Sequence, residues 1–228
     1  MRLPARYDAL LFDLDGTLID SAPDIALALN RLMADLDRPE LDLPAVRSMI
    51  GDGAGTLVER ALTAASVAHR PEELGSYLKR FLAHYEADPV QLTKPYPGVP
   101  ETLAVLDAKG FRCAICTNKP QRATEMILEA LDLARYFDPI LGADAVANRK
   151  PHPDHLQAAL TAMGAKRERG VMIGDSTNDV APAQALAMPA IVMAYGYGRR
   201  PLSALGADLI LEDFAKLPEA LQSIGAMR

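Results

Sequence analysis

A short apolar run that ends in two carboxylates limits what this chain can fold into more than any other feature. Residues 9–20 read A-L-L-F-D-L-D-G-T-L-I-D, and the opening apolar residues are enough for a buried strand but too few for a helix. Side chains two residues apart in an extended chain point the same way, so Asp13 and Asp15 are predicted to project together from the strand end. The alternative is a common Asp-Gly turn that carries a second Asp by chance.

Length and composition bound the size of the protein and its partners. With 228 residues, 50% of them hydrophobic, the chain can bury one core, or one core plus a small second domain. The net charge of −6 argues against nucleic acid and against an anionic membrane surface as partners. No uncharged apolar stretch approaches the ~18 residues that cross a bilayer, and carboxylates interrupt the apolar run after Arg2 and Arg6, unlike a signal peptide. We therefore expect a cytoplasmic protein; its oligomeric state is not indicated.

Helical periodicity follows the first strand. A helix is predicted from Ser21, placed as its capping residue, a second from a capping box of Thr56 and Glu59, and a third after Pro71. Residues 88–98 are rich in proline and have no periodicity, which is typical of a linker.

The rest of the chain alternates strands with helices. Strands are predicted at 111–116, near Ile140, and at 171–174, 190–194 and 209–211, with helices at 100–109, 121–131, 153–163 and from Asn178. This alternation indicates a parallel sheet with helices on both faces. We therefore predict an α/β fold with a Rossmann-like core, made of residues 1–18 and 93–228, and an inserted helical cap at 19–92.

Polar residues follow three of the predicted strands. They are Asp13 and Asp15, Thr117 and Asn118, and the stretch Asp175–Asp179, while Lys150 lies in a loop before a helix. In open α/β sheets, ligands bind beyond the carboxyl ends of the strands, so we expect these side chains to meet there. Each has an ordinary alternative: a helix cap for Thr117 with its neighbour, a solvated loop charge for Lys150, and an acidic helix start for Asp175–Asp179.

Acids that converge in this way repel one another. A pair of carboxylates 4 Å apart costs about 4 kcal/mol at an effective dielectric constant of 20, so several pairs need a cation unless some carboxylates stay protonated. Lys150 supplies one positive charge, and a divalent ion would supply the rest. Oxygen ligands favour Mg²⁺, which also suits a phosphate site. Acids, a metal, a lysine and a hydroxyl together form a phosphoryl-transfer site.

The stretch D-L-D-G-T after an apolar strand resembles the first motif of the haloacid dehalogenase superfamily, in particular of its aspartate-based phosphatases. Thr117, Lys150 and the G-D-x-x-x-D from Gly174 to Asp179 resemble its other motifs in order and spacing. The stretches T-L-I-D-S-A-P-D and M-I-G-D-G-A are similar to phosphoglycolate phosphatases. The resemblance covers the whole chain, cap included, and implies Mg²⁺-dependent hydrolysis of a small phosphate ester, 2-phosphoglycolate.

The carboxylates of this constellation have predicted catalytic and metal-binding roles. Asp13 would be the nucleophile and form an aspartyl-phosphate. Asp15 would protonate the leaving oxygen and then deprotonate the attacking water. Asp13, Asp175 and the backbone carbonyl of Asp15 would hold Mg²⁺.

The remaining site residues are predicted to bind the phosphoryl group. Thr117, the amide of Asn118 and Lys150 would contact its oxygens, where preorganised donors contribute most. Asp179, one turn into its helix, is expected to hold Lys150 or a metal-bound water rather than the metal itself.

Two glycine-containing loops allow a functional and an ordinary interpretation. The loop that contains Gly51 and Gly53 is not a dinucleotide fingerprint, since no strand of a βαβ unit precedes it. Its backbone amides either meet the substrate or form a plain turn. Tyr195–Gly198 either walls the site or packs between cap and core.

Two further patterns are interpreted as structural. Cys113 and Cys116 have the spacing of a redox motif, but they lie on opposite faces of a strand, which favours buried packing over a disulfide. His152 and His155 lie in a proline-rich turn, where a pair of histidines rarely binds metal.

Other functions stay open at this point. Dehalogenases of the superfamily lack the second acid, so Asp15 argues against them, and sugar-phosphate mutases usually carry a basic residue in the cap loop, which Gly51–Gly55 lacks. A pyrophosphatase, a nucleotidase or a broad sugar-phosphate phosphatase fits the motifs. A protein that binds phosphate or metal without turnover would need no acid–base residue, so Asp15 argues against it as well.

Overall fold

The chain folds around the apolar strand near its start. A computed structural model describes residues 7–227, so residues 1–6 and 228 of the predicted core lie outside the described part. The strands are β1 (Ala9–Phe12), β2 (Ile19–Asp20), β3 (Lys94–Pro95), β4 (Arg112–Cys116), β5 (Ile140–Leu141), β6 (Gly170–Gly174), β7 (Ala190–Met193) and β8 (Leu209–Leu211). The helices are α1 (Ala22–Ala34), α2 (Leu43–Met49), α3 (Ala54–Ala64), α4 (Leu74–Glu86), α5 (Val99–Ala108), α6 (Gln121–Ala130), α7 (Asp154–Ala162), α8 (Thr177–Ala185) and α9 (Leu217–Met227). Single 3₁₀ turns lie at Pro71–Glu73, Ala134–Tyr136, Arg167–Arg169, Leu202–Ala204 and Phe214–Lys216.

Within the described residues, a parallel sheet has the strand order β5-β4-β1-β6-β7-β8. Strand β1 is central, and Phe12 is level with Ile115 of β4 and Ile173 of β6. The residues that follow these three strands therefore leave the sheet at the same edge. The predicted α/β core with a parallel sheet is confirmed.

Helices cover both faces of the sheet and form two apolar clusters. The larger contains Phe12 and extends through α1–α4 to Phe81, and the smaller contains Leu11 and the buried sides of α7 and α8. Cys113 belongs to the first cluster and Cys116 to the second, both as free thiols, as the alternation of the strand predicts. No described helix is long and apolar enough to cross a membrane.

The predicted linker at 88–98 contains a strand. Its residues Lys94–Pro95 pair antiparallel with Ile19–Asp20, so the two ends of the helical segment lie side by side. Pairing of two residues leaves no periodicity in the sequence, which is why it was not predicted. Helices α2 and α9 were not predicted either.

Of two predicted helix caps, one is right in position only and the other is wrong. Ser21 is the residue that precedes α1, as predicted, but its hydroxyl donates to Asp15 Oδ1 at 2.6 Å and does not cap the helix. Helix α3 begins directly after Gly53, whose φ is 89°, so Thr56 and Glu59 lie inside the helix rather than at its cap. The chain enters α3 earlier than predicted because glycine adopts this left-handed conformation without strain.

Hydrogen bonds of Asp24 connect the start of α1 with Leu92 and Thr93, at the end of the helical segment. Its buried carboxylate accepts hydrogen bonds from the backbone N–H of Leu92 at 2.9 Å, and from the backbone N–H and the hydroxyl of Thr93 at 2.7 and 2.6 Å. Hydrogen bonds to charged groups contribute about 1.5–3 kcal/mol, and a buried donor left without its acceptor is costly.

Asp24→Asn is expected to lower the free energy of unfolding by about 2–4 kcal/mol, because the amide carries no charge and turns N–H groups toward donors that need an acceptor. Urea unfolding at neutral pH measures the change. Asp107→Asn, on the exposed side of α5, is the control and should change stability by less than ~0.5 kcal/mol. Equal effects of the two substitutions would contradict the argument.

Candidate active site

A cleft lies between the carboxyl edge of the sheet and the helical segment. It is lined on the sheet side by Asp13, Asp15, Thr117, Asn118 and Lys119, and on the helical side by Ile50, Leu57, Phe81, Leu82 and Tyr85. A second opening, lined mainly by polar residues, lies beside it and includes Asp175, Asn178, Tyr197 and Arg199. The predicted site residues therefore do meet at one edge of the sheet.

Lys150 lies buried between two of the predicted acids. Its ammonium is 3.1 Å from Asp13 Oδ1 and 2.6 Å from Asp179 Oδ1, and the residue is only 2% exposed. Burial lowers the pKa of this ammonium, but Asp13 and Asp179 outweigh burial and hold the pKa above its ordinary value. The alternative of a solvated loop charge is wrong.

Asp179 is positioned by the start of its own helix. Its Oδ2 accepts hydrogen bonds from the backbone N–H groups of Asp175 and Ser176 at 3.1 and 3.0 Å, and from the Ser176 hydroxyl at 2.9 Å. A Cβ at Gly174 would lie 2.2 Å from the Asp179 carboxyl carbon, so only glycine allows this packing. The predicted acidic helix start is therefore present, and the other oxygen of Asp179, Oδ1, accepts a hydrogen bond from Lys150.

Three buried carboxylates come together beside this lysine. Ligand oxygens of Asp13, Asp175 and Asp179 all lie within 4.8 Å of one another. Burial raises the pKa of Asp13 to about 6; the positive charge of Lys150 lowers this pKa and the negative charge of Asp179 raises it, but burial is the largest effect. Burial also raises the pKa of Asp175 well above its ordinary value, and repulsion from Asp179 and Asp13 adds to the shift. One ammonium does not balance three carboxylates, so an oxygen-binding divalent cation fits this donor set.

Asp15 turns away from that cluster and into the cleft. Its Oδ1 accepts a hydrogen bond from the Ser21 hydroxyl at 2.6 Å, and its two oxygens lie 3.0 and 3.1 Å from Lys119 Nζ. Burial lowers the pKa of the Lys119 ammonium, but the charge of Asp15 outweighs it and raises the pKa above its ordinary value. Neither Ser21 nor Lys119 was predicted as a site residue.

The chain that follows β4 links the two halves of the site. Thr117 is buried at the cleft, and the Asn118 side chain donates to the backbone carbonyl oxygens of Lys150 at 2.9 Å and Gly51 at 3.1 Å. The alternative of a helix cap for Thr117 and Asn118 is wrong, because Pro120 occupies the capping position of α6.

The loop before α3 closes against the sheet edge. The Gly51 carbonyl also accepts from the Asn178 side chain at 3.0 Å, and Asp52 accepts from the same amide at 2.7 Å. Asp52 also pairs with Arg60 at 2.6 Å and with Arg199. Burial raises the pKa of Asp52, but Arg199, Asn178 and Arg60 outweigh it and lower the pKa to about 2. Asp52 is therefore an anion, and its ion pairs with Arg60 and Arg199 hold the loop in place.

Tyr195–Gly198 combines both of its predicted interpretations. The backbone N–H of Tyr197 donates to Asp175 Oδ2 at 2.5 Å, which brings this stretch to the acidic cluster. The Tyr195 ring packs against Tyr96 with 4.1 Å between ring centres, and the Tyr197 hydroxyl donates to Asp20 at 2.5 Å. The stretch therefore both touches the site and joins the helical segment to the core.

The two histidines of the proline-rich turn lie in different environments. His155 is buried, with Nε2 3.2 Å from the Leu141 carbonyl, and burial together with Lys150 lowers its pKa to about 4. His152 is exposed and lies 3.3 Å from Asp154. His155 is therefore a neutral core residue.

Comparisons with known proteins show which family and which relatives this chain is similar to. Residues 10–193 match the family model described as haloacid dehalogenase-like hydrolase. The chain is 42% identical over 217 residues to a phosphoglycolate phosphatase of Rhodospirillum rubrum, covering 93% of this chain and 90% of that one. It is 38% identical over 211 residues to one of Caulobacter vibrioides, covering 92% and 89%. A crystal structure of a predicted phosphoglycolate phosphatase from Haemophilus somnus 129pt superposes with a TM-score of 0.91 at 30% identity, covering 96% and 100%.

The acidic cluster should make the metal-free protein less stable as the pH rises. Because the pKa of Asp13 is raised from 3.8 to about 6, the folded protein holds a proton in that window that the unfolded chain releases. Stability should therefore fall between about pH 4 and pH 6, by at most roughly 3 kcal/mol from this group. Thermal unfolding of chelator-treated protein across these pH values measures the slope.

Asp13→Asn provides the control for this slope, because the amide cannot titrate. Its stability should depend less steeply on pH than that of the unsubstituted protein over the same range. If stability depends on pH equally steeply in both proteins, or rises with pH in the unsubstituted protein alone, Asp13 does not carry the raised pKa.

Proposed function

Because the chain belongs to the haloacid dehalogenase-like hydrolase family, we propose that it is a Mg²⁺-dependent phosphatase that hydrolyses 2-phosphoglycolate to glycolate through an aspartyl-phosphate. The observation that carries this proposal is the pair of carboxylates after β1. Asp13 lies against Lys150, 3.1 Å away, while Asp15 faces the cleft beside Lys119. The two acids thus lie in different environments, as a nucleophile and an acid–base group require.

The first step transfers the phosphoryl group to the protein. A carboxylate oxygen of Asp13 attacks phosphorus while the bond from phosphorus to the ester oxygen breaks, and Asp15 gives its proton to that oxygen, which releases the alcohol. In the second step a water molecule attacks the phosphorus of the aspartyl-phosphate and gives a proton to Asp15. Phosphate leaves, and Asp13 is again a carboxylate.

Asp13, Asp175 and the backbone carbonyl of Asp15 would hold Mg²⁺. The ion would neutralise charge as one anion approaches another. Asp179 already accepts hydrogen bonds at both carboxylate oxygens, from Lys150 and from the start of α8, which supports its role of holding Lys150 rather than the metal.

The phosphoryl oxygens would contact Thr117, the amide of Asn118 and Lys150. Buried, preorganised donors contribute most where charge develops in the transition state. Gly51 and Gly53 line the cleft on the opposite side, in the loop that is held by Asp52. Residues 19–92 would therefore act as a cap over a core made of 1–18 and 93–228.

The mainly apolar helical wall of the cleft supports an ester without sugar hydroxyl groups. Ile50, Leu57, Phe81 and Leu82 of this wall offer no hydrogen bonds to the hydroxyl groups of a sugar, and Tyr85 offers a single hydroxyl. The similar proteins from Rhodospirillum rubrum and Caulobacter vibrioides are named phosphoglycolate phosphatases. Both observations favour 2-phosphoglycolate over sugar phosphates and nucleotides.

Asp13→Asn should reduce kcat by at least about 10³-fold, because the amide is not a nucleophile and no other group replaces it. Phosphate release from 2-phosphoglycolate with Mg²⁺ measures the loss, and circular dichroism checks the fold. Asp107→Asn is the control and should retain full activity, since it lies exposed on α5. Retained activity of Asp13→Asn would contradict the nucleophile assignment.

Release should also depend on the metal and on the ester. Excess chelator should abolish release, and added Mg²⁺ should restore it. Among a panel of small esters, sugar phosphates, nucleotides and pyrophosphate, 2-phosphoglycolate should give the highest kcat/KM. Equal release with chelator and with Mg²⁺ would refute the metal requirement, and a higher kcat/KM for another class would refute the proposed substrate.

A further inference from the structure

Lys119 carries the only positive charge among the described residues that line the cleft. Its side chain is 3% exposed, and its ammonium donates to the two oxygens of Asp15 at 3.0 and 3.1 Å. An ammonium has three N–H groups, so one is still available to a ligand. Asp15 compensates the charge of Lys119, and Lys150 already serves the phosphoryl group, so the remaining N–H of Lys119 can bind another group of the substrate.

Tyr85 points to the same place from the helical side. Lys119 Nζ lies 4.6 Å from the centre of its ring. Tyr85 is 3% exposed, and its hydroxyl lies close enough to the Lys119 ammonium to interact with it, but it makes no hydrogen bond of good geometry to any described residue. Burial raises the pKa of this hydroxyl to about 12, so it is a neutral donor. A buried hydroxyl without a hydrogen bond of good geometry in a cleft indicates a place where a ligand atom accepts its hydrogen bond.

We propose that Lys119 and Tyr85 bind a carboxylate of the substrate, and that the enzyme therefore selects phosphate esters that carry a carboxylate on the carbon next to the ester oxygen. This inference rests on the proposed function. Lys119 is then a specificity-determining residue, and Lys150 and Lys119 bind the two anionic ends of one small molecule.

The covalent structure of such an ester fits the positions of the two lysines. Its phosphoryl end lies at Asp13 and Lys150, and its ester oxygen lies at Asp15, which protonates it. Only one carbon separates that oxygen from the carboxylate, so the carboxylate must lie close to Asp15. The group already found 3.0 Å from Asp15 is the Lys119 ammonium.

The competing explanation is that Lys119 only positions Asp15. A change in that role would slow all esters alike, whereas loss of a carboxylate contact would slow only esters that carry the carboxylate. The informative quantity is therefore the ratio of kcat/KM for 2-phosphoglycolate to kcat/KM for its carboxamide, carbamoylmethyl phosphate, which has the same shape without the charge.

Lys119→Met should lower this ratio at least 10-fold, and Lys119→Arg, which keeps the charge, should restore part of it. Tyr85→Phe removes only the hydroxyl and keeps the ring beside Lys119, so the protein should stay folded while the ratio falls about 3-fold or more. Tyr77→Phe, on the same helix but away from the cleft, is the control and should leave the ratio unchanged.

Equal losses for the two esters with Lys119→Met, or an unchanged ratio with Tyr85→Phe, would overturn the proposal. If Lys119→Met does not fold, the ratio for Tyr85→Phe decides alone. Calorimetric binding of both esters to Asp13→Asn in Mg²⁺ tests recognition without turnover. If the unsubstituted protein hydrolyses neither ester, the proposed function fails. The inference then holds only if 2-phosphoglycolate binds more tightly than carbamoylmethyl phosphate and if Tyr85→Phe removes this difference in affinity.

Discussion

The buried ion pairs of Lys150 with Asp13 and Asp179 are the interaction on which the rest of the structure depends. Removing one partner from such a group leaves a buried charge uncompensated, which typically costs 3–5 kcal/mol. Three features bring these charges together. They are the register of the central strands, the absence of a side chain at Gly174, and the start of α8, whose N–H groups hold the second oxygen of Asp179. The fold is thus organised to hold excess negative charge at one edge of the sheet, and the proposed metal follows from that excess.

The same principle extends across the cleft. Asp15 is paired with Lys119, and Asp52 of the helical segment is paired with Arg60 and Arg199. Asp15 and Asp52 therefore each have a cationic partner, while the cleft wall between them is mainly apolar. Low polarity strengthens the electrostatic interactions of groups that point into the cleft. A small ester with a phosphate at one end and a carboxylate at the other is the ligand that this distribution of charge would accommodate.

Much of the site could be predicted because its signals are local. Asp13 and Asp175 follow apolar strands, and the rule that ligands bind at the carboxyl edge of a parallel sheet brings them together. Lys119 could not be predicted, because a lysine before a proline has the pattern of a solvated loop charge and only its packing against Tyr85 shows that it is buried. Lys150 has the same local pattern, and its role was inferred from its place among four motifs.

The sequence by itself determined the alternation of strands and helices, which strands are followed by polar residues, and the identity of the acids. Periodicity and residue type are local properties, so the sequence alone shows them. Only the tertiary structure decided which side chains share a partner. Ser21 was expected to cap a helix but donates to Asp15, and the linker at 88–98 pairs with the chain before α1. Such contacts join residues far apart in sequence, and their geometry is fixed by packing, which no local pattern records.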